Sequence, residues 1–292
     1  MNGPAYIAPA SLEDALSIKS QHGAEARIIA GGTDLILRMR DRVFAPDLLI
    51  DLKRVALDSI SESGSGTRLG ACVTHSQILS DPVIAVRYPA LASACREFAG
   101  PPIRNRGTVG GNLVNASPAA DLVPPLLAYD ASLVLASSSA VRELPLAGFF
   151  TGPGQTVMAP DEILTEVRLP SMPVRTASGF IKLGQRRSMA ISIVNLAVRL
   201  TLDDASRVSA ARIVLGAVAP TAIRAGASEA LLTGQELSGE LIALAAQEAR
   251  RETSAITDVR ASKEYREKMT QVLVRRALES IQDDLQRSGS SG

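Results

Sequence analysis

The chain has 292 residues, 46% of them hydrophobic, and a formal net charge of +1. That size and apolar content suit a folded protein of two or three subdomains with a sizeable core, and exclude a disordered chain. Near-neutral charge, no tryptophan and 3% aromatic residues argue against a nucleic-acid surface of basic patches and stacking platforms. No apolar run reaches the length of a membrane span and no basic flank precedes a long apolar core, so a cytoplasmic protein is expected. Cys72, Cys95, His22 and His75 lie in unrelated segments. No metal or iron–sulfur site of the chain's own is therefore expected, and free thiols are the default.

The predicted elements fall into three blocks. The first, 1–55, opens with Tyr6-Ile7-Ala8-Pro9 and a helix from Ser11 to Gln21 capped by Ser11. A strand from Arg27 to Ala30 then feeds a glycine turn and an apolar helical run from Leu35 to Met39, and Leu48 to Leu52 reads as a second buried strand. This is βα alternation on a small sheet. The second block, 56–173, has strand-sized runs around a Ser/Gly turn at Ser61 to Gly66 and a helix start at Thr74, where His75 caps or packs. A helix from Leu91 to Phe98, a second glycine cluster, the apolar run Leu122 to Leu127 and a strand from Ser132 to Ala136 follow. Gly148 to Gly154 reads as an exposed loop, and Ile163 to Leu169 alternates as a half-buried strand does.

The third block, 174–286, carries strands at Gly179 to Leu183, Val194 to Leu202 and Arg212 to Val218. Two amphipathic helices follow, one with an apolar stripe of Leu237, Leu241, Leu244 and Ala245, the other with Tyr265, Met269, Val272 and Leu273. The serine- and glycine-rich tail, 287–292, is expected to be flexible.

Two glycine clusters stand out. Gly31 and Gly32 precede Thr33 and Asp34; Thr108 precedes Gly110, Gly111 and Asn112. Glycine permits positive φ and close approach of peptide N–H groups to an anion such as a diphosphate. The first cluster lacks the third glycine of a dinucleotide fingerprint and the Gly-Lys-Ser/Thr ending of a P-loop, which removes those two readings. A strand, a glycine turn and a helix start nevertheless present free N–H donors. Asp34 falls at that helix start, either as its cap or as an acceptor for a ligand hydroxyl.

The order Ala30-Gly31-Gly32-Thr33, then Ile103-Arg104-Asn105-Arg106-Gly107-Thr108-Val109-Gly110-Gly111-Asn112, then Asn115-Ala116-Ser117-Pro118-Ala119-Ala120-Asp121 is more specific than either cluster. With Asp258-Val259-Arg260-Ala261-Ser262-Lys263-Glu264-Tyr265-Arg266 near the C-terminus, the chain resembles, over nearly its whole length, the FAD-binding medium subunit of the molybdenum hydroxylases. This is the family of xanthine dehydrogenase and carbon monoxide dehydrogenase. The resemblance implies an α+β chain: an FAD-binding fold of the PCMH/vanillyl-alcohol-oxidase type with two α/β subdomains, then a C-terminal domain whose antiparallel sheet is packed by helices.

It also implies site residues. Backbone groups of Ile29, Ala30, Gly31, Gly32, Thr33 and Asp34 would cradle the FAD diphosphate, with Thr108, Gly110, Gly111 and Asn112 as the facing loop. Neither cluster contains a cation, so amide dipoles must neutralise most of that charge; Arg104 and Arg106 flank the second loop, as helpers or as solvent-facing turn residues. Asp121 matches a position whose carboxylate reaches the cofactor, or else caps the apolar helix after it. Leu164 matches a residue near the isoalloxazine, or is plain core. Lys182 matches a lysine near the flavin ring, where a cation would raise the potential, or snorkels from an edge strand. Replacing Gly110 and Gly111 together with alanine is expected to leave folded protein without flavin.

No Ser–His–Asp constellation is present, and no residue needs to act as base or nucleophile. By resemblance, substrate is oxidised at a molybdenum cofactor in a large partner subunit. Electrons pass through two [2Fe-2S] clusters of a small subunit to FAD on this chain and then to an external acceptor. A heterohexamer of two heterotrimers is the expected assembly. Two other readings stay open, a self-contained flavin oxidoreductase of related fold and an assembly protein without flavin.

Overall fold

A computed structural model describes residues 3–186 and 189–289, with side chains through Arg287. In chain order the elements are β1 (Ala5–Ile7), α1 (Leu12–His22), β2 (Ala26–Ile29), α2 (Leu35–Arg40), β3 (Leu48–Asp51), β4 (Ile60–Ser63), β5 (Gly66–Gly70), α3 (His75–Ser80), α4 (Pro82–Arg87) and α5 (Pro89–Glu97). There follow α6 (Pro101–Arg104), α7 (Val109–Val114), α8 (Val123–Ala128), β6 (Ser132–Ala136), β7 (Val141–Pro145), β8 (Phe150–Gly152), β9 (Gln155–Thr156) and β10 (Ile163–Pro170). The chain continues with β11 (Thr176–Gly184), β12 (Ser192–Leu202), β13 (Val208–Gly216), β14 (Ile223–Arg224), α9 (Gly226–Leu232), α10 (Gly239–Arg251) and α11 (Lys263–Gly289). No helix among the described residues is long and apolar enough to cross a membrane.

These elements form two compact units. The first comprises 1–78, 100–116 and 131–170. Its three-stranded parallel sheet has the order β1-β3-β2, and the central strand is buried throughout because a crossover helix covers it. That helix is α1, which starts where the Ser11 hydroxyl accepts the Asp14 N–H at 3.0 Å and stops at Gly23, whose φ of 48° ends the turn. Ala15, Leu16, Leu48 and Ile50 pack with Ala136 and Ile163, joining this sheet to an antiparallel one of order β4-β5-β10-β6-β7. The segment read as an exposed loop at 148–154 is not one. Phe149 is fully buried, edge-on to Phe150 at 5.1 Å, and β8 pairs with β9 around a turn at Gly154. Burial of the Phe149 ring anchors the stretch, while Gly148, Thr151, Pro153 and Gly154 remain exposed as their turn chemistry suggests.

The second unit comprises 79–99, 117–130 and the chain from 171 onward. Its antiparallel sheet, β11-β12-β13-β14, packs one face on α9, α10 and α11 through Val194, Leu196, Val198, Ile213 and Leu215; α5 contacts β11 and α8 contacts β12 and β13. Both predicted helix stripes are partly out of phase. In α10 the inward residues are Ile242, Ala245, Ala246 and Ala249, while Leu244 is 49% exposed; small alanines let neighbouring helices approach closely. In α11 Tyr265 is 44% exposed and the buried line begins one residue later, with Arg266, Thr270, Leu273 and Val274. The reason is polar. Arg266 donates to the Ile193 and Ala217 carbonyls at 2.6 and 2.9 Å and pairs with Asp258 at 2.7 Å, which turns the helix by one position. Of the tail at 287–292, helix α11 runs to Gly289 and 290–292 lie outside the described residues.

Candidate functional site

The first glycine loop joins β2 to α2 within the first unit. The backbone N–H groups of Gly31, Gly32, Thr33 and Asp34 donate to no acceptor among the described residues. Gly32 alone of the cluster's glycines has positive φ, 68°. Gly31 is needed for another reason: a Cβ there would lie 2.0 Å from the Arg106 carbonyl oxygen. The two loops are thus in backbone contact, fastened further where Arg106 Nε donates to Gly31 O at 3.3 Å. Arg106 is thus an exposed turn residue, as one of its two expected readings had it, and it also ties the two loops together. Asp34 stands at the N-cap position of α2 without capping it; its exposed carboxylate faces Arg38 at 3.6 Å. Arg38 also reaches Asn115 Oδ1 at 3.0 Å, tying α2 to the end of the second loop.

The second loop does not offer the amides that its glycines suggested. Gly110 N–H donates to Ala71 O at 2.9 Å, Gly111 N–H to the Thr108 hydroxyl at 3.0 Å, and Asn112 N–H to Thr108 O at 3.0 Å. Thr108 is the N-cap of α7, and its hydroxyl oxygen is engaged there. Gly110 is buried, and a Cβ on it would meet Ala71 O at 2.7 Å and Ala71 Cβ at 2.8 Å, so its smallness serves packing. Gly111 is exposed, with only the Thr108 hydroxyl near an added Cβ. Replacing both glycines would damage the fold as well as any ligand contact, so the double alanine variant does not isolate flavin binding. Asn112 Oδ1, by contrast, is buried with no hydrogen-bond partner. An acceptor left so carries a desolvation cost unless a ligand donor reaches it. His75 packs under this loop, 1% exposed; burial first, and the Arg104 charge second, pulls its imidazole down to about 4.

In the second unit Asp121 and Lys182 meet. Both side chains are 6% exposed, and Nζ to Oδ2 is 2.6 Å. Asp121 caps nothing: Leu122 is the N-cap of α8. Its Oδ1 instead accepts from the Ser192 hydroxyl at 2.6 Å and the Asn195 amide at 2.9 Å. Lys182 lies on the edge strand β11 but does not snorkel to solvent, because the carboxylate and the Glu97 carbonyl at 3.4 Å hold its amine inward. Lys182 also lines a cavity of about 600 Å³ with Glu97, Gly184, Gln185 and Met189. Leu164 belongs to the first unit, 4% exposed on β10 opposite Leu135.

Sequence reasoning missed Ser192 and Asn195. One signal was available for Asn195, a lone amide inside the apolar run of β12, all of which is buried except Leu202. Ser192 carried none, since only strand pairing brings the start of β12 back to β11.

The first unit fits FAD on its own geometry. Four unused amides suit a diphosphate, and the orphaned Asn112 Oδ1 suits a hydroxyl donor of the ribityl or ribose. Among the described residues no group of three or more His, Cys, Asp or Glu could hold a metal ion, and neither Cys72 nor Cys95 is in a disulfide. Burial raises the Cys72 thiol to about 11, which makes it inert at neutral pH.

Comparison with known proteins agrees. Residues 2–172 match the family described as FAD binding domain in molybdopterin dehydrogenase, and 180–281 the CO dehydrogenase flavoprotein C-terminal domain. The chain is 37% identical to the nicotine 6-hydroxylase medium subunit of Paenarthrobacter nicotinovorans, over 94% of this chain and 95% of that one. It is 33% identical to the carbon monoxide dehydrogenase medium chain of Hydrogenophaga pseudoflava, with the same coverage. The solved carbon monoxide dehydrogenase of that organism superposes with a TM-score of 0.93 over 97% of this chain and 98% of that one, at 33% identity. Quinoline 2-oxidoreductase of Pseudomonas putida 86 gives a TM-score of 0.91 at 30% identity, over 98% and 99%. With the loop pair, the C-terminal sheet and these likenesses together, the chain belongs to the family of FAD-binding medium subunits of multi-subunit molybdenum hydroxylases of the carbon monoxide and xanthine dehydrogenase type.

Proposed function

We propose that this subunit is the exit branch of such an oxidoreductase. When bound, FAD supplies the redox chemistry, taking electrons that two [2Fe-2S] clusters of a small partner subunit relay from a molybdenum cofactor in a large one, and yielding them to an external acceptor. The chain's own residues bind and orient. The amides of Gly31 to Asp34 hold the diphosphate, with Ile29 and Ala30 leading into the turn. Thr108 caps α7 through its hydroxyl oxygen and keeps its own N–H for the ligand, Gly110 shapes the second loop, Gly111 leaves its exposed surface open, and Asn112 accepts from a ligand hydroxyl. Asp121 accepts from another hydroxyl, Lys182 sets the local charge, and Leu164 contributes apolar wall. Because Lys182 is paired, its charge at the flavin is largely cancelled, and its effect on potential is smaller than a lone cation's. Two copies of each of three subunits, in the cytoplasm, make up the proposed assembly.

The observation that carries this reading is the run of four unpaired amides locked against the second loop beside the orphaned Asn112 oxygen. The test is an absorption spectrum of the complex purified from its native host, followed by acid release of the chromophore. The expected result is flavin absorption, released as FAD, in the presence of two other subunits. A colourless intact complex would refute the proposal and favour the assembly-protein reading.

A further inference from the structure

Ser192 and Asn195 are expensive residues for the place they occupy. Ser192 is 1% exposed and Asn195 0%, on a strand otherwise built of core side chains. Burying a hydroxyl and an amide costs free energy unless each finds a partner; the acceptor their donors share is Asp121 Oδ1, while Asn195 Oδ1 is left buried without a hydrogen-bond partner. A carboxylate held by Lys182 alone keeps much of its freedom, because the terminal torsion of aspartate is broad and two-fold. Two neutral donors on the other oxygen fix the plane of the group without adding charge. Asn195 is fixed in turn. It stands directly opposite Lys182 on β11 and Gly216 on β13, and its amide also reaches the Ser192 hydroxyl at 3.3 Å and Ala120 O at 3.4 Å. A Cβ at Gly216 would fall 2.0 Å from Asn195 Oδ1, so that glycine provides the space in which the amide lies.

We infer that Ser192 and Asn195 are positioning residues for FAD binding, acting through Asp121 by holding its carboxylate plane, with Gly216 as the spacer that admits Asn195. This rests on the reading that Asp121 accepts a hydroxyl of FAD. Acting through Asp121, the three residues decide which way the acceptor points.

The test is a double-mutant cycle on FAD affinity, measured by titrating FAD into the deflavinated complex and following flavin fluorescence. Ser192→Ala, Asn195→Leu and Gly216→Ala are each expected to weaken FAD binding about tenfold, the loss of one well-aligned hydrogen bond to a charged group. In an Asp121→Ala background, where the Lys182 amine can hydrate into the adjoining cavity, the same three changes are expected to add nothing. Ser192→Thr, which keeps the hydroxyl, should restore affinity. Single variants that bind FAD like wild type, beside an Asp121→Ala complex that has lost it, would overturn the inference and leave the FAD reading standing. Equal losses in both backgrounds would also overturn it, as effects that do not pass through Asp121. Wild-type affinity in Asp121→Ala would remove the reading on which the inference rests. Should Asn195→Leu or Gly216→Ala fail to assemble, the cycle on Ser192, a change of one oxygen atom, decides the matter.

Discussion

Gly31→Ala tests whether the contact between the two loops creates the diphosphate cradle. An added Cβ would lie 2.0 Å from Arg106 O and 2.6 Å from its carbonyl carbon, both backbone atoms. A carbon–oxygen contact relaxes to about 3.3 Å, so the second loop must retreat by roughly 1.3 Å. Overpacking of that kind costs about 1–3 kcal/mol of stability. The loss of one amide bond to a phosphate, about 1.5–3 kcal/mol, lowers FAD affinity roughly 10- to 150-fold. Gly32→Ala is the control. Its φ of 68° makes alanine strained by about 1–2 kcal/mol, yet its Cβ would meet only the Ile29 and Ile36 side chains, the nearest atom at 3.3 Å, so the loops stay together and affinity falls less. Flavin content of the purified complex, FAD titration and thermal unfolding with and without FAD separate the two costs. If Gly31→Ala keeps full flavin at wild-type affinity, the loop contact is not what builds the cradle.

Two further outcomes are expected. The His75 imidazole titrates at about 4 in the folded chain against an ordinary 6.5, so the unfolded chain takes up the proton first. Its stability contribution is therefore complete above about pH 6.5, is lost as pH falls to about 4, and amounts to about 3 kcal/mol; urea midpoints should fall more steeply over that range in wild type than in His75→Gln, and parallel curves would contradict the assignment. Arg266→Met strands the Ile193 and Ala217 carbonyls and removes one of the partners of the Asp258 carboxylate, which keeps Arg260 and the Ala261 N–H. Burial works against that carboxylate's charge, but the Arg260 N–H, the Arg266 guanidinium and the Ala261 N–H outweigh it and hold the group well below its ordinary range. A loss of about 2–4 kcal/mol is expected from the two stranded carbonyls, and a urea-derived loss under about 1 kcal/mol would show that Arg266 is dispensable.

Much of the local structure was legible without coordinates. Ser11 caps its helix as a hydroxyl before an amphipathic run does, β2 and β3 are short apolar strands bounded by polar turns, and β10 alternates between buried and half-buried residues along its C-terminal half. Helix phase was less legible, since the stripes at Leu244 and Tyr265 were read from hydrophobicity, whereas close helix contact selects alanines and a buried arginine selects its own inward slot.

The order of the glycine clusters and Asp121 along the chain carried the resemblance to the family, which the comparisons show. What the individual glycines do was decided only by tertiary structure. Gly31 yields to a carbonyl 75 residues away in sequence, at Arg106, Gly110 packs on Ala71, and the Gly110, Gly111 and Asn112 amides are spent inside the protein. Likewise Asp121 was visible as a carboxylate before an apolar helix, but its partners Lys182, Ser192 and Asn195 lie 61, 71 and 74 residues further on. A linear pattern records which groups are available; hydrogen bonds between segments so distant exist only once strand register and packing have brought the groups within 3 Å of one another.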